Sequence, residues 1–184
     1  MAYGPSLRRY NMYGMSTSEG KQEIKKFLTP TLHPGAKILD VGAGGGTYYH
    51  LLGKQYNWSA VEIWHDTAMY LSKFYNTVFE GSITDFWYHD EYDLVIFGDV
   101  IEHLEVEDAQ ECIARAKQHA KAILIALPYD NPQGAIYGNE AEIHRQTGMT
   151  PEIFDERYPG FKLILDYKVH AYYYWTKEDD LTNQ

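Results

Sequence analysis

The segment Asp40-Val41-Gly42-Ala43-Gly44-Gly45-Gly46 constrains this chain more than any other. It follows the apolar pair Ile38-Leu39 and precedes a helix-like stretch, Thr47-Tyr48-Tyr49-His50-Leu51-Leu52. An apolar strand that ends in an acid, turns on glycines and opens a helix belongs at the first βα unit of an α/β sheet. Glycines at alternate positions take up torsions closed to other residues and let a backbone approach a bulky ligand. At the carboxyl end of a first strand, such a turn is where α/β sheets hold nucleotide-like ligands.

Spacing separates two versions of that turn. The dinucleotide fingerprint G-x-G-x-x-G starts well at Gly42 and Gly44 but meets Thr47 at its third position. Counted from the acid, Asp40-x-Gly42-x-Gly44-x-Gly46 is complete. A dehydrogenase-type site is therefore the weaker expectation. The next strand, 58–63, carries Glu62 at its carboxyl end, 18 residues past Gly44. That is close to the spacing at which a carboxylate in such a unit accepts both hydroxyls of a ribose.

Further apolar stretches follow at 77–83, 92–98, 121–128, 161–167 and 169–175, and helical patterns lie between several of them. The run Leu94-Val95-Ile96-Phe97 has no polar alternation, as expected of a central parallel strand covered on both faces. Repeated βαβ units predict a parallel sheet with helices on both sides. Before the first strand, Ser16-Thr17-Ser18-Glu19 reads as a capped helix start, with the helix ending near Leu28 ahead of Pro30. The helix after the glycine turn is expected to reach about Gln55. Thr150-Pro151-Glu152 reads as another helix start, and residues 177–184 as a frayed tail.

The ordered set from Asp40-x-Gly42-x-Gly44-x-Gly46 through Glu62, 77–86 and Gly98-Asp99-Val100-Ile101-Glu102-His103-Leu104 resembles the class I S-adenosylmethionine-dependent methyltransferases. The resemblance spans roughly residues 36–175. It implies a Rossmann-like three-layer α/β sandwich whose seven-stranded, mostly parallel sheet runs in the order 3-2-1-4-5-7-6, with strand 7 antiparallel. It implies S-adenosylmethionine as cofactor, held by Asp40, Gly42, Ala43, Gly44, Gly46, Glu62 and Ile63. Ser82 and Ile83 take the positions that frame the adenine, although many members carry Asp where Ser82 stands. Asp99 takes the position that faces the cofactor's amino group. The N-terminal tail and helix, residues 1–35, would cover the site, with Tyr10 and Tyr13 as a conceivable lid. The loop 128–150 would choose the substrate.

The sulfonium makes the methyl group electrophilic already, so the protein mainly aligns an acceptor and, for a hydroxyl, removes its proton. Asp99, Glu102 and His103 have i, i+3, i+4 spacing, which shares one face if a helix begins at Asp99. His144 lies in the long loop. Two readings stand. In the metal-free reading, which the frequency of the Glu-His-Leu segment among metal-free members favours, His144 is the general base and His103 the second candidate. In the other, Asp99, Glu102, His103 and His144 hold a divalent ion, as in metal-dependent RNA 2′-O-methyltransferases.

Composition narrows the acceptor. A net charge of −10 argues against a duplex as substrate, since phosphate contacts need a basic face. The only small basic cluster is Arg8-Arg9, with Lys21, Lys25 and Lys26 spread over a helix. No Asn/Asp-Pro-Pro-Tyr stands at the fourth strand, which argues against methylation of a base amino group. A small molecule or glycan, methylated on oxygen, is the expected acceptor; a non-catalytic cofactor-binding subunit is the alternative from another class. A length of 184 residues suits one domain. The single Cys112 excludes an internal disulfide and reads as a packed side chain. With no signal-peptide pattern and no apolar span of about 20 residues, the expected setting is the cytoplasm.

Overall fold

The computed structural model describes residues 18–136 and 138–182. Its central element is a seven-stranded sheet built from β1 (Lys37–Val41), β2 (Asn57–Glu62), β3 (Thr77–Glu80), β4 (Leu94–Gly98), β5 (Ala122–Pro128), β6 (Lys162–Asp166) and β7 (His170–Thr176). The spatial order is β3-β2-β1-β4-β5-β7-β6. Strands β1 to β5 pair in parallel, while β7 runs antiparallel to both β5 and β6. The expected architecture is the observed one.

Alternation along each strand divides the core between the two faces of the sheet. Leu39, Val41, Val95, Phe97, Ile123 and Ile125 pack on one side against Ala109, Cys112, Ile113 and Ala116 of α4 (Val106–His119) and Phe154 of α5 (Pro151–Arg157). Ile38, Ala60, Leu94, Ile96, Leu124 and Ala126 pack on the other. That layer holds Ile24 and Leu28 of α1 (Lys21–Leu28), Tyr48 and Leu52 of α2 (Thr47–Leu52) and Leu71 of α3 (His65–Leu71). Cys112 is 1% exposed and accepts a weak hydrogen bond from Arg115, as a packed thiol should.

Local signals explain where expectation and structure part. Helix α2 ends at Leu52 rather than near Gln55, because Gly53 follows with φ 103° and bonds back to Tyr49. Helix α1 begins after Gly20, in a left-handed conformation without a side-chain cap; Ser16 and Thr17, like Arg8, Arg9, Tyr10 and Tyr13, lie outside the described residues. Thr150 does cap α5, accepting from Ile153 N–H, with Pro151 in the first turn. Residues expected to fray instead form α6 (Lys177–Thr182). There Thr176 Oγ1 accepts from Asp179 N–H and donates to its carboxylate, a reciprocal cap that Thr-x-x-Asp encodes directly.

Helix α5 ties the long loop to the sheet. Phe154, fully buried, stacks on Tyr173 of β7 with ring centroids 3.6 Å apart. Phe154→Ala removes that ring from a packed layer and is expected to cost about 3–5 kcal/mol, read as a lower urea midpoint with unchanged slope.

Candidate active site

The carboxyl ends of β1, β2 and β4 meet the glycine turn, and the backbone there is shaped for close approach. Gly42 has φ 61°, and a Cβ placed on it would lie 2.7 Å from Val100 Cγ2. Gly46 has φ 77°, and its Cβ would lie 2.9 Å from the Phe74 ring. Side chains at either position would fill the cradle or force the turn open. Ala43 is buried beneath it and accepts from Gly46 N–H at 2.8 Å.

Glu62 sits at the end of β2, only 5% exposed. One carboxylate oxygen accepts from Gly44 N–H and the other from Trp64 N–H, both at 3.0 Å. A carboxylate oxygen has further lone pairs, so this anchored group keeps acceptor capacity for a diol. Burial raises its pKa, and the backbone donors of Trp64, Gly44 and Ile63 oppose that rise. Ile63 and Trp64, next along the chain, are 52% and 45% exposed. With Gly138, Asn139, Glu140 and Ala141 of the long loop they line an open cleft of about 340 Å³.

The other expected cofactor residues are placed differently. Asp40 points into the α1/α2 layer, 1% exposed, and accepts from the Tyr75 hydroxyl at 2.6 Å. Ser82 caps the short turn 83–85 by accepting from Thr84 N–H, and Ile83 is part of the core. The helix expected to start at Asp99 is absent. Asp99 has φ 58°, a single 3-10 turn spans Ile101–His103, and α4 begins only at Val106. The Asp99 carboxylate still acts electrostatically on Glu102 and His103, while its partners His170 and Lys21 lie elsewhere. It accepts from His170 Nε2 at 2.7 Å and lies 4.0 Å from Lys21 Nζ.

Lys21 and His170 escaped the sequence reading. Lys21, taken there for one of several scattered cations, is 6% exposed; its ammonium donates to the Tyr48 hydroxyl and lies over that ring. Desolvation lowers its pKa, against the attraction of Asp99, Asp40 and Glu102. The signal was present: Lys21, Ile24 and Leu28 share the i, i+3, i+7 face that a helix buries. His170 opens β7 opposite Pro128. In the strand order that the resemblance implied, an antiparallel β7 must begin at the carboxyl edge of the sheet.

A second constellation lies beside this one. Glu102, 1% exposed, sits on the 3-10 turn, and its backbone carbonyl accepts from Arg145 N–H and Gln146 N–H. Gln146 Nε2 donates to the carbonyls of Ile101 and Leu104. The loop is thereby stitched onto the turn, and the rings of His103 and His144 meet edge to face at 4.7 Å. Ligand-type atoms of Glu102, His103 and His144 all lie within 4.8 Å of one another; Asp99 is not in this group. Burial, then the neighbouring His144, lowers the His103 pKa to about 4, so that ring is neutral at pH 7.

Residues 39–122, from β1 to the start of β5, match the family model described as a methyltransferase domain. No curated protein matches the chain in sequence. Among solved structures, CalS10, an amino pentose methyltransferase from Micromonospora echinaspora seen with S-adenosylmethionine bound, superposes with a TM-score of 0.65 at 12% identity. The match covers 96% of this chain and 98% of that one. An S-adenosylmethionine-dependent methyltransferase from Clostridium acetobutylicum gives 0.63 at 10% identity over 92% and 94%. A candidate O-methyltransferase from Nostoc punctiforme gives 0.65 at 15% identity, over 87% of this chain but only 56% of that longer one. Identities this low speak for the fold alone. Residues 39–122 thus match a methyltransferase domain, and the whole sheet has the Rossmann-like fold that these class I methyltransferases share.

Asp40 provides a test of the buried layer. Burial pushes its carboxyl from 3.8 up to about 7, against the Tyr75 hydrogen bond and Lys21. An unfolded chain ionises this group near its ordinary value, so the folded state loses stability as pH climbs from about 4 towards 7. Asp40→Asn removes that loss, while the raised carboxyls of Glu62 and Glu102 remain. Urea unfolding between pH 4.5 and 7.5 is expected to show a flatter curve for the variant, by at most about 1.4 kcal/mol per pH unit. Parallel curves would contradict the assignment.

Proposed function

We propose that this protein transfers the methyl group of S-adenosylmethionine to a hydroxyl of a small molecule or glycan. When bound, the cofactor supplies a methyl carbon on a sulfonium; the carbon joins the acceptor oxygen, the sulfur keeps the bonding pair as a thioether, and the acceptor loses its proton. The residues present fit that group. The observation that carries the reading is the Glu62 carboxylate, pinned by Gly44 N–H and Trp64 N–H above a turn in which no Cβ fits at Gly42. In this reading the adenosine ribose takes the open lone pairs of Glu62 and the adenine lies against Ile63, with Ser82 and Ile83 beyond. Calorimetry is expected to show binding of S-adenosylmethionine and S-adenosylhomocysteine and none of NAD. Glu62→Gln is expected to weaken both by about 10- to 100-fold, the worth of a hydrogen bond to a charged group.

The acceptor half of the site is assigned to the loop 128–150. His103 and His144 are half-buried where this loop crosses the turn after β4. Glu142, on the same loop, interacts electrostatically with Glu62 and with Glu102, which links the acceptor cluster to the ribose carboxylate. This cluster removes the acceptor's proton, with His144 and His103 as its reactive side chains. An oxygen nucleophile needs that help at neutral pH, and proton transfer of this kind contributes about 10²–10⁴-fold. A sugar acceptor is supported by the likeness to the amino pentose methyltransferase CalS10, and the net charge of −10 disfavours a polyanion.

A panel of free sugars, nucleotide sugars and phenolic compounds, assayed with radiolabelled cofactor, tests the class. His144→Ala is expected to lower kcat on the best acceptor by about 10²–10⁴-fold while cofactor affinity holds. Tight cofactor binding with no transfer to any hydroxyl compound would instead favour a non-catalytic, cofactor-binding role.

A further inference from the structure

We infer that Glu102, His103 and His144 form the binding site of one divalent transition-metal cation, of the zinc, manganese or iron class, on the acceptor side of the crevice. The inference rests on the methyl-transfer reading for its purpose only; the binding itself is measured without cofactor or acceptor.

Three independent features converge on the point between these side chains. The first is Glu102. Its carboxyl group is buried, and among the described residues no donor beyond its own backbone N–H reaches either oxygen. Lys21, which would be the natural counter-ion, is committed to the Tyr48 hydroxyl and to Asp99. A carboxylate withdrawn from water without a partner is costly, and a bound cation is the usual compensation.

The second is the state of the two imidazoles. His144 Nδ1 is engaged by the Asn131 carbonyl, and His103 Nδ1 lies 3.4 Å from the Ile143 carbonyl. Each carbonyl only accepts, so each ring carries its hydrogen on Nδ1 and keeps a lone pair on Nε2. Metal-ligating histidines are oriented in this way, through their second nitrogen. The third is proximity. One ligand-type atom from each of the three side chains lies within 4.8 Å of the others, the proximity that ligands to a single ion require.

Two imidazoles and one carboxylate suit borderline cations better than magnesium, which prefers oxygen and water. Three protein ligands leave a coordination position open. An acceptor hydroxyl bound there would be acidified in place, so the cluster would promote the proton loss proposed above through the ion its side chains hold. Asp99, which the spacing offered as a fourth ligand, is excluded from that role by its left-handed backbone and its bond to His170.

The test uses the full chain, free of any affinity tag and stripped with a chelator, then titrated with Co²⁺, Zn²⁺, Mn²⁺ and Mg²⁺. One Co²⁺ per chain is expected, with visible d–d absorption of a low-coordinate site, displaced by Zn²⁺ and not by equimolar Mg²⁺. Glu102→Gln and His144→Ala are expected to weaken binding by at least about 100-fold, since losing a ligand atom costs at least the 10- to 100-fold lost when a ligand's supporting partner is removed. His33→Ala, at an exposed histidine on the far end of β1, should leave it unchanged. Because Glu102 is buried, its variant is also checked for folding by circular dichroism, and His144→Ala, in the loop, decides if it unfolds. Stoichiometric binding that survives in His144→Ala, or no binding above the level of surface histidines, overturns the inference. Cofactor calorimetry on the stripped protein keeps the two readings apart: cofactor binding and chelator-resistant transfer would retain the methyltransferase and discard the cation.

Discussion

The site depends on one carboxylate bridging two backbone donors. Glu62 reaches from the end of β2 to Gly44 N–H in the turn after β1, and holds Trp64 N–H with its other oxygen. The turn, built from residues chosen for conformational freedom, would otherwise sample many shapes. Each charge-assisted hydrogen bond of this kind is stronger than a neutral one, and two of them fix the turn against the strand that pairs with β1. The group proposed to take the ribose is thus also the brace of the turn.

Most of the scaffold was legible because its signals are local. The strand–glycine–helix unit, the unbroken apolar run of β4 and the proline-marked start of α5 each follow from neighbouring residues. Strand order was a different matter. Nothing in the 161–175 stretch says that β7 inserts between β5 and β6; that came from the resemblance, and the pairing agrees. Thr176-x-x-Asp179 is such a local signal, since it caps α6 in a stretch whose polarity alone suggests a tail.

Side-chain placement was less legible, for a physical reason. The spacing of Asp99, Glu102 and His103 has meaning only on a regular helix, and one left-handed residue breaks it. The pairing of His103 with His144 depends on a 22-residue excursion whose docking rests on Gln146 and on the Glu102 carbonyl. No periodicity encodes such a contact. Lys21 shows the converse, since its position on a buried helical face was readable and only its charge suggested solvent.

Helix α1 is more than a cover for the sheet. Its ammonium pairs with Asp99 and is attracted more weakly by Asp40 and Glu102, acids drawn into the same buried corner. A version of the chain beginning after residue 30 would keep every glycine of the turn and all seven strands. It would lose the ammonium that attracts these acids, leaving their mutual repulsion less opposed. Charge balance, as much as shape, makes the leading helix part of the domain.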